Sequence, residues 1–181
     1  MKPKNHFRIF SFILIGMLFI SLNSCTKDDD DTPAISDNTF YSDIAYALES
    51  CYVDIYNQNL AGVQTGTQNI TSDGPMGGTV VITGTTSYDN THGITGTDLL
   101  YDMSSVVYTT AHATITITGS ATYKGTFSST YTSVQNLSDN LHIVATVTRD
   151  GESRSLDDTG VVSINRSANI TATIFGHTVS W

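Results

Sequence analysis

The chain has 181 residues, of which 17 are Asp or Glu and 8 are Lys or Arg, so its formal net charge is −9 at pH 7. A protein this acidic lacks the basic surface that binding to nucleic acid requires, which excludes that class of function. Its length suits one folded domain with a core of its own once a targeting segment is set aside.

The first twenty residues have the pattern of a secretion signal. Lys2, Lys4 and Arg8 form a basic beginning, and an apolar run follows from Ile9 to Ile20. A helix that crosses a bilayer needs roughly 20 apolar residues, and this run has about 12. It is therefore predicted to be the apolar region of a signal peptide rather than a membrane span.

Residues 22–25 read Leu-Asn-Ser-Cys. This segment resembles the lipobox of a bacterial lipoprotein precursor, in which an aliphatic residue and two small residues precede an obligatory cysteine; Asn23 departs from that pattern. The resemblance implies that residues 1–24 are removed and that Cys25 then carries acyl chains on its sulfur and its amino group. Cysteine is required because its thiolate is the strongest side-chain nucleophile near neutral pH. Each buried CH₂ contributes about 0.8 kcal/mol, and two or more chains give stable anchoring.

A lysine followed by acidic residues stands directly after this cysteine, in the segment Lys27-Asp28-Asp29. It resembles the surface-export signal of Bacteroidota-type lipoproteins. The resemblance implies a lipid-anchored protein on the outer leaflet of the outer membrane, facing the environment.

The mature chain is predicted to be a tether followed by one domain. Without residues 1–24 it keeps 5 Lys and Arg against 17 Asp and Glu, a net charge of −12. Residues 25–38 are predicted to be a lipidated acidic tether, and residues 39–181 a single helix-plus-sheet domain. Since the domain has no polybasic patch for anionic lipid, its membrane contact is predicted to come from the acyl chains on Cys25. No nucleic-acid partner is expected, and a protein or glycan partner is left open.

The segment from Phe40 to Leu60 is predicted to be an amphipathic helix. Its apolar residues recur at steps of four, three and four, which places them on one stripe that Tyr41 and Tyr52 widen. The stripe consists of Ile44, Leu48, Cys51 and Ile55. Residues 36–39 offer N-cap candidates, and Gly62 is a natural stop.

Cys51 lies on the apolar stripe and is therefore interpreted as a buried structural thiol. With Cys25 acylated, it has no partner for a disulfide within the chain. The stability of the domain is then predicted to come from its hydrophobic core.

Past the helix the sequence favours strands. Residues 62–78 are rich in Gly, Thr, Gln and Asn and are predicted to be a loop or crossing connection. Beyond them Thr and Val, which suit a pleated surface, become frequent. The candidate strands are 79–88, 93–103, 105–122, 123–134, 141–149, 161–165 and 169–179. Turn signals stand at 89–90, 136–140, 150–151 and 157–160.

Residues 112–127 alternate strictly, with apolar or small residues at odd positions and polar residues at even ones. A two-residue hairpin at Lys124-Gly125 would move the apolar set to even positions, whereas Phe127 keeps the odd parity. A continuous strand over about 112–134 is therefore predicted. At about 3.3 Å per residue it would reach roughly 75 Å if straight, so it must bend to fit one domain.

The predicted fold class is α+β and mostly β. Gly119 and Gly125 lie on the inner face of the long strand, where they permit sharp curvature. The predicted architecture is an N-terminal amphipathic helix packed on a strongly curved antiparallel meander sheet. In it the apolar stripe of the helix and the apolar face of the strands bury one another. A β-sandwich and a closed β-barrel are the alternatives.

A weak repeat supports the meander. Ile-Thr-Gly occurs three times, and two copies extend to ITGTTSY at 82–88 and ITGSATY at 117–123. These are interpreted as similar strands of one sheet rather than as duplicated domains.

No pattern in the sequence predicts a catalytic residue, a metal ligand or a cofactor, and the only site residue predicted is the lipidated Cys25. The acidic segment 150–158 lacks the ligand spacing of a calcium loop and is interpreted as a hairpin tip. His112, His142 and His177 would converge on the outer face if their strands were neighbours, but they and His92 are interpreted as isolated polar residues.

The aromatic residues of the strands are a further candidate for binding. Tyr88 and Tyr123 share the apolar parity of their strands, so core packing is predicted for both. Trp181 is predicted to be buried against the rim of the sheet.

Three functions are compatible with the sequence. The favoured one is a surface-exposed lipoprotein with a non-enzymatic binding, structural or adhesive role. The second is a lipocalin-like carrier of a small apolar molecule, with a cup lined by Ile115, Ile117 and Ile143. The third is a hydrolase with a dispersed active site, which needs titratable groups that converge in one cleft.

Overall fold

The computed structural model describes residues 34–62, 65–128 and 132–181. This part of the chain forms one α-helix and eight β-strands. The helix α1 is Asp37–Asn59, and the strands are β1 Gly66–Asp73, β2 Thr79–Asp89, β3 Ile94–Thr109, β4 Ala113–Phe127, β5 Thr132–Arg149, β6 Glu152–Arg166, β7 Ile170–Ile174 and β8 His177–Ser180.

The eight strands form a single antiparallel sheet in which each strand pairs with the next one along the chain. Among the described strands β1 and β8 pair on one side only, so the sheet is an open meander. The predicted class, one helix on an antiparallel meander, is confirmed, and the sandwich and barrel alternatives are wrong.

The helix forms where its pattern predicts it. Ser36 is the N-cap, and its hydroxyl oxygen accepts a hydrogen bond from the Thr39 N–H at 3.3 Å. The helix therefore starts at Asp37, inside the segment predicted to be tether. The predicted stripe and the two tyrosines that widen it are buried: Tyr41, Ile44, Leu48, Cys51, Tyr52 and Ile55.

The sheet curls around this helix. α1 lies against β3 through β8, yet six flat strands would span about 24 Å and a helix is only about 10 Å across. All of these strands can reach one helix only because the sheet is strongly curved. Ile115, Ile117 and Ile143 on its inner face are completely buried in the core they share with the stripe.

Strand β4 carries the long alternating pattern without a break at Lys124-Gly125, as its parity predicts. The predicted extension to residue 134 is wrong: β4 ends at Phe127, and Thr132 of β5 pairs back with that residue. The candidate strands 105–122 and 123–134 are divided differently, because β3 runs on to Thr109 before β4 begins.

Gly119 and Gly125 provide the predicted bends in β4. Both have positive φ angles, of 121° and 152°. A Cβ atom on Gly119 would lie 2.9 Å from the carbonyl oxygen of Asn140, and one on Gly125 would lie 1.9 Å from that of Ser133. Only glycine permits this approach of neighbouring backbones. Gly84, the equivalent glycine of the repeat in β2, has a similar φ of 126°.

Two bulges add to the curvature and reverse the parity of the inner face. One lies between Met103 and Val106 of β3, and the other between Ser138 and Leu141 of β5. Each inserts one residue, so the buried positions change from odd to even in β3 and from even to odd in β5. The second bulge occupies the segment 136–140, where a turn was predicted, and that prediction is wrong.

Four further predicted segments differ in the structure. The loop predicted at 62–78 contains β1, an edge strand, and the turn predicted at 157–160 lies inside β6. The turn at 150–151 is confirmed, but the rest of the predicted hairpin tip is strand. The candidate strand 169–179 is a hairpin, because Phe175 and Gly176 both have positive φ and reverse the chain.

The signal peptide, the lipobox with Cys25 and most of the predicted tether fall in residues 1–33, which lie outside the described residues. Within the described ranges, no helix has the length and apolar character needed to cross a membrane.

Candidate functional site

Charged side chains of the helix pair with the sheet. The Arg149 guanidinium donates from Nε and Nη2 to the two carboxylate oxygens of Asp43, at 2.6 and 2.7 Å. Arg166 donates to Glu49. The side chains of Asp43 and Glu49 are only 11% and 10% exposed, so each buried carboxylate has a positive partner, as burial of a charge requires.

A third arginine holds the first turn of the helix. Arg154 Nη1 lies 2.7 Å from a carboxylate oxygen of Asp37 and donates to the carbonyl oxygen of Ile35 at 3.2 Å. Its guanidinium carbon also lies 4.2 Å from the centroid of the Phe40 ring, within cation–π range. The point where the chain enters the domain is therefore fixed to β6.

The fourth acidic residue of the helix pairs with a tyrosine. Tyr108 donates its hydroxyl hydrogen to Asp54 at 2.6 Å. Burial and this hydrogen bond raise the pKa of Tyr108. Every Asp and Glu of α1 thus has a partner in the sheet, and the three arginines of residues 34–181 serve this contact.

Tyrosine rings form a cluster between the C-terminal half of α1 and the sheet. Tyr123 lies between Tyr101 and Tyr56, with ring centroids 5.4 and 5.7 Å apart and nearly parallel planes. Phe127 meets Tyr56 edge-on at 4.9 Å. Burial raises the pKa of Tyr123 to about 12, so the cluster is neutral at physiological pH. The prediction that Tyr123 belongs to the core is confirmed.

Tyr88 is not in the core, which makes its prediction wrong. It has the inner-face parity of β2, but its residue exposure is 52%. The physical reason is where the helix ends: α1 stops at Asn59, and its C-cap Leu60 lines the same open groove as Tyr88, so no further helical turn covers that ring. Trp181 also differs from its prediction, because it is 40% exposed although its backbone pairs with that of Ile170.

A concave groove of about 530 Å³ opens where the helix ends. We call it the Tyr88 groove; its walls include Tyr56, Leu60, Thr65, Tyr88, Asn90 and Thr95. None of the described residues that line it carries a charge. Its volume lies within the range of about 300–1,000 Å³ that small-molecule sites have. Sequence reasoning missed this groove, since the place where the helix stops relative to the strands is a tertiary feature.

The inner face of the sheet changes from aliphatic to polar and aromatic residues at the groove. Along β2 the buried Val80 and Ile82 give way to Thr86 and Tyr88, and along β3 the inward residues become threonines. Gln68 of β1 donates to the Thr86 hydroxyl at 2.9 Å. The groove therefore combines an exposed aromatic ring with hydroxyl and amide groups.

Polar contacts within the β2–β3 hairpin and with Thr65 hold the segment that carries Tyr88. The Tyr88 N–H donates to the Thr65 hydroxyl oxygen at 2.8 Å. Asp89 accepts from the Thr91 N–H at 2.8 Å, and its other oxygen lies 2.6 Å from Nδ1 of His92. The hydrogen bond with His92, followed by that from Thr91, lowers the pKa of the Asp89 carboxyl.

The histidines do not converge. His142 pairs with Asp157 on the outer face at 2.9 Å, and His177 stacks on Tyr41 of the helix at 3.9 Å. His112 precedes β4, where its carbonyl oxygen accepts from Thr148. The outer-face placement considered for His177 is wrong, because the Phe175-Gly176 turn sets it opposite the buried Ile174. Within the described ranges, no three His, Cys, Asp or Glu side chains are placed to hold a metal ion.

The thiol of Cys51 lies in the core, as its place on the helix stripe predicts. Burial, with a smaller contribution from Asp54, raises its pKa to about 12. The thiolate is the reactive form of cysteine, so this residue is inert at neutral pH.

Comparisons of the chain with protein-family models, with curated proteins and with solved structures found no match.

Proposed function

We propose that this protein is a surface-exposed outer-membrane lipoprotein, anchored through acyl chains on Cys25, whose folded domain has a non-enzymatic binding role. The sequence support is the basic and apolar beginning, the Leu22-Asn23-Ser24-Cys25 segment and the lysine and aspartates that follow it. Anchoring then depends on the acyl chains, because a strongly acidic chain gains nothing from an anionic lipid surface.

The observation that carries the binding role is the way the helix fills the hollow of the sheet. An apolar carrier needs an open cup, but Ile115, Ile117 and Ile143 are covered by α1. A hydrolase needs titratable groups free to act, whereas the carboxylates of α1 are engaged by arginines and by Tyr108. The Tyr88 groove is a concave surface that stays accessible, and its described lining residues carry no charge.

Metabolic labelling with a palmitate analogue tests the anchor. Wild-type cells should incorporate the label into this protein, and Cys25→Ala should abolish it. Cys51→Ala is the matched control, because it removes the other cysteine and should leave labelling unchanged. Equal labelling of wild type and Cys25→Ala would contradict the proposed anchor.

Protease treatment of intact cells tests the display. The folded domain should be degraded while a periplasmic marker stays intact. Replacing Lys27, Asp28 and Asp29 by alanine should preserve palmitate labelling but protect the domain from the protease. A domain that resists the protease until the outer membrane is broken would place the protein on the inner leaflet and overturn the proposal.

A further inference from the structure

We infer that the Tyr88 groove binds a neutral saccharide, with the Tyr88 ring as the platform on which one sugar ring stacks. The inference rests on the proposed binding role and names its ligand class. The C–H face of a pyranose is apolar and packs on an aromatic ring, while its hydroxyls need hydrogen-bond partners around the edge.

The exposure of the Tyr88 ring leaves it free to stack on a ligand. Its ring stands at the mouth of the curled sheet on the inward face, 52% exposed, while the other inward-facing tyrosines of the described strands, Tyr101, Tyr108 and Tyr123, are buried. Ligand sites are concave and largely preformed, as this groove is, and the mouth of a β-barrel is one of their usual places. An aromatic ring held there by an ordered hairpin is accessible without any rearrangement of the fold.

Polar side chains around the Tyr88 ring suit the hydroxyl groups of a sugar. Thr95 is the cross-strand partner of Tyr88, and Asn90 follows it in the turn. Within the described ranges, the side chains of Asn90 and Thr95 make no hydrogen bond to protein, so their hydroxyl and amide groups remain available to a ligand. An amide and a hydroxyl both donate and accept, as a sugar hydroxyl does.

The electrostatics of the groove disfavour an anionic ligand. The described lining residues carry no charge. The C-terminus of α1, at Leu60, lies in the wall, and its carbonyl groups give that end a partial negative charge. The domain as a whole is acidic. A neutral ligand rich in hydroxyl donors fits these conditions, and a carboxylate or phosphate does not.

Titration calorimetry on the purified full chain in a zwitterionic, sugar-free detergent tests the inference. The probes are tetrasaccharides of α-linked glucose, β-linked glucose and β-linked mannose, with tetragalacturonic acid as the anionic comparison. At least one neutral probe should bind and shift the nuclear magnetic resonance signals of the Tyr88 ring. Absence of binding by all three, or binding of the anionic probe alone, would overturn the inference.

Substitutions locate the binding. Tyr88→Ala should weaken the binding of that probe by about tenfold or more, because the stacking surface is lost. Tyr88→Phe should retain it, and Thr95→Val should weaken it without changing the shape of the wall. Tyr46→Ala is the matched control, since Tyr46 is 51% exposed on the helix and lies outside the groove. Undiminished affinity in Tyr88→Ala would overturn the inference. Labelling and protease results do not depend on these outcomes, so the anchor and the ligand class can fail separately.

Discussion

Arg149 of β5 holds Asp43 of α1 through two hydrogen bonds of 2.6 and 2.7 Å that join residues 106 positions apart. This ion pair fixes the first half of α1 to the end of β5. The Asp43 side chain is 11% exposed and the Arg149 side chain is 37% exposed. Water therefore screens this ion pair mainly from the arginine side.

Replacing Arg149 by alanine should lower the free energy of unfolding by about 1–3 kcal/mol, because Asp43 is left as a nearly buried, unpaired charge. The double variant with Asp43→Asn should recover part of the loss. Lys124→Ala is the matched control: its partner Asp98 is 60% exposed, so its cost should be at most about 1 kcal/mol. Urea denaturation measures all three, and equal losses for Arg149→Ala and Lys124→Ala would contradict this account.

Gly119→Val should destabilise the domain by about 2–4 kcal/mol. A side chain there needs a φ near 121° and puts its Cβ 2.9 Å from the Asn140 carbonyl oxygen. Gly93→Asn is the control, because Gly93 has a φ of 62° with nothing within 4 Å of an added Cβ, and asparagine tolerates that conformation. Thermal unfolding should show a clear drop in Tm for the first variant and a small change for the second. An unchanged Tm for Gly119→Val would mean that β4 does not bend there.

Two tyrosine-to-phenylalanine substitutions should change the free energy of unfolding by different amounts. The hydroxyl of Tyr52 is buried without a hydrogen-bond partner among the described atoms, so Tyr52→Phe should be neutral or stabilising. The hydroxyl of Tyr108 donates to Asp54, so Tyr108→Phe should cost about 1–3 kcal/mol. Chemical denaturation of the two variants side by side is the measurement, and a larger loss from Tyr52→Phe would refute the assignment of partners.

Stability should fall as the pH rises above about 9. Cys51 and Tyr123 have ordinary pKa values of 9.0 and 10.0, and burial raises both to about 12 in the folded state. Below pH 9 both groups are protonated whether the chain is folded or not, so their contribution is fully present. Between pH 9 and 12 the unfolded chain loses these protons and the folded chain keeps them, so each group lowers the unfolding free energy by up to about 1.4 kcal/mol per pH unit.

Denaturation curves from pH 7 to 11 test this dependence. Cys51→Ala should make the decline start nearer pH 10, where the tyrosines begin to ionise in the unfolded chain. If the free energy of unfolding began to decline at the same pH in the wild type and in Cys51→Ala, the Cys51 thiol would make no contribution to the pH dependence.

The parts of the fold that could be predicted from the sequence are mostly those that follow from local periodicity. The helix stripe and the odd-numbered parity of β4 follow from residues close in sequence, and both are confirmed. The bulges in β3 and β5 were not predictable in this way. Ser105 adopts a positive φ without being glycine, and Asp139 and Asn140 have the composition of a turn but lie inside a strand.

The site was less predictable than the fold. Parity places Tyr88 on the inner face correctly, but parity does not show that α1 ends before it can cover this residue. The arginine–carboxylate pairs join residues more than a hundred positions apart, and no local pattern identifies such partners. β1 was missed because GTQNITSD, a polar edge strand, has the composition of a loop.

The distance in sequence between the helix and its arginines also constrains the order of folding. Each strand pairs with its neighbour in the chain, so successive hairpins can form by closing short loops at little entropic cost. The partners of Asp43 and Glu49 come 106 and 117 positions later. Because synthesis proceeds from the N-terminus, the apolar side of α1 stays exposed until nearly the whole sheet has been made. We therefore expect docking of the helix to be the late, slow event in folding, and the interval before it to be the one in which the chain is most prone to aggregate.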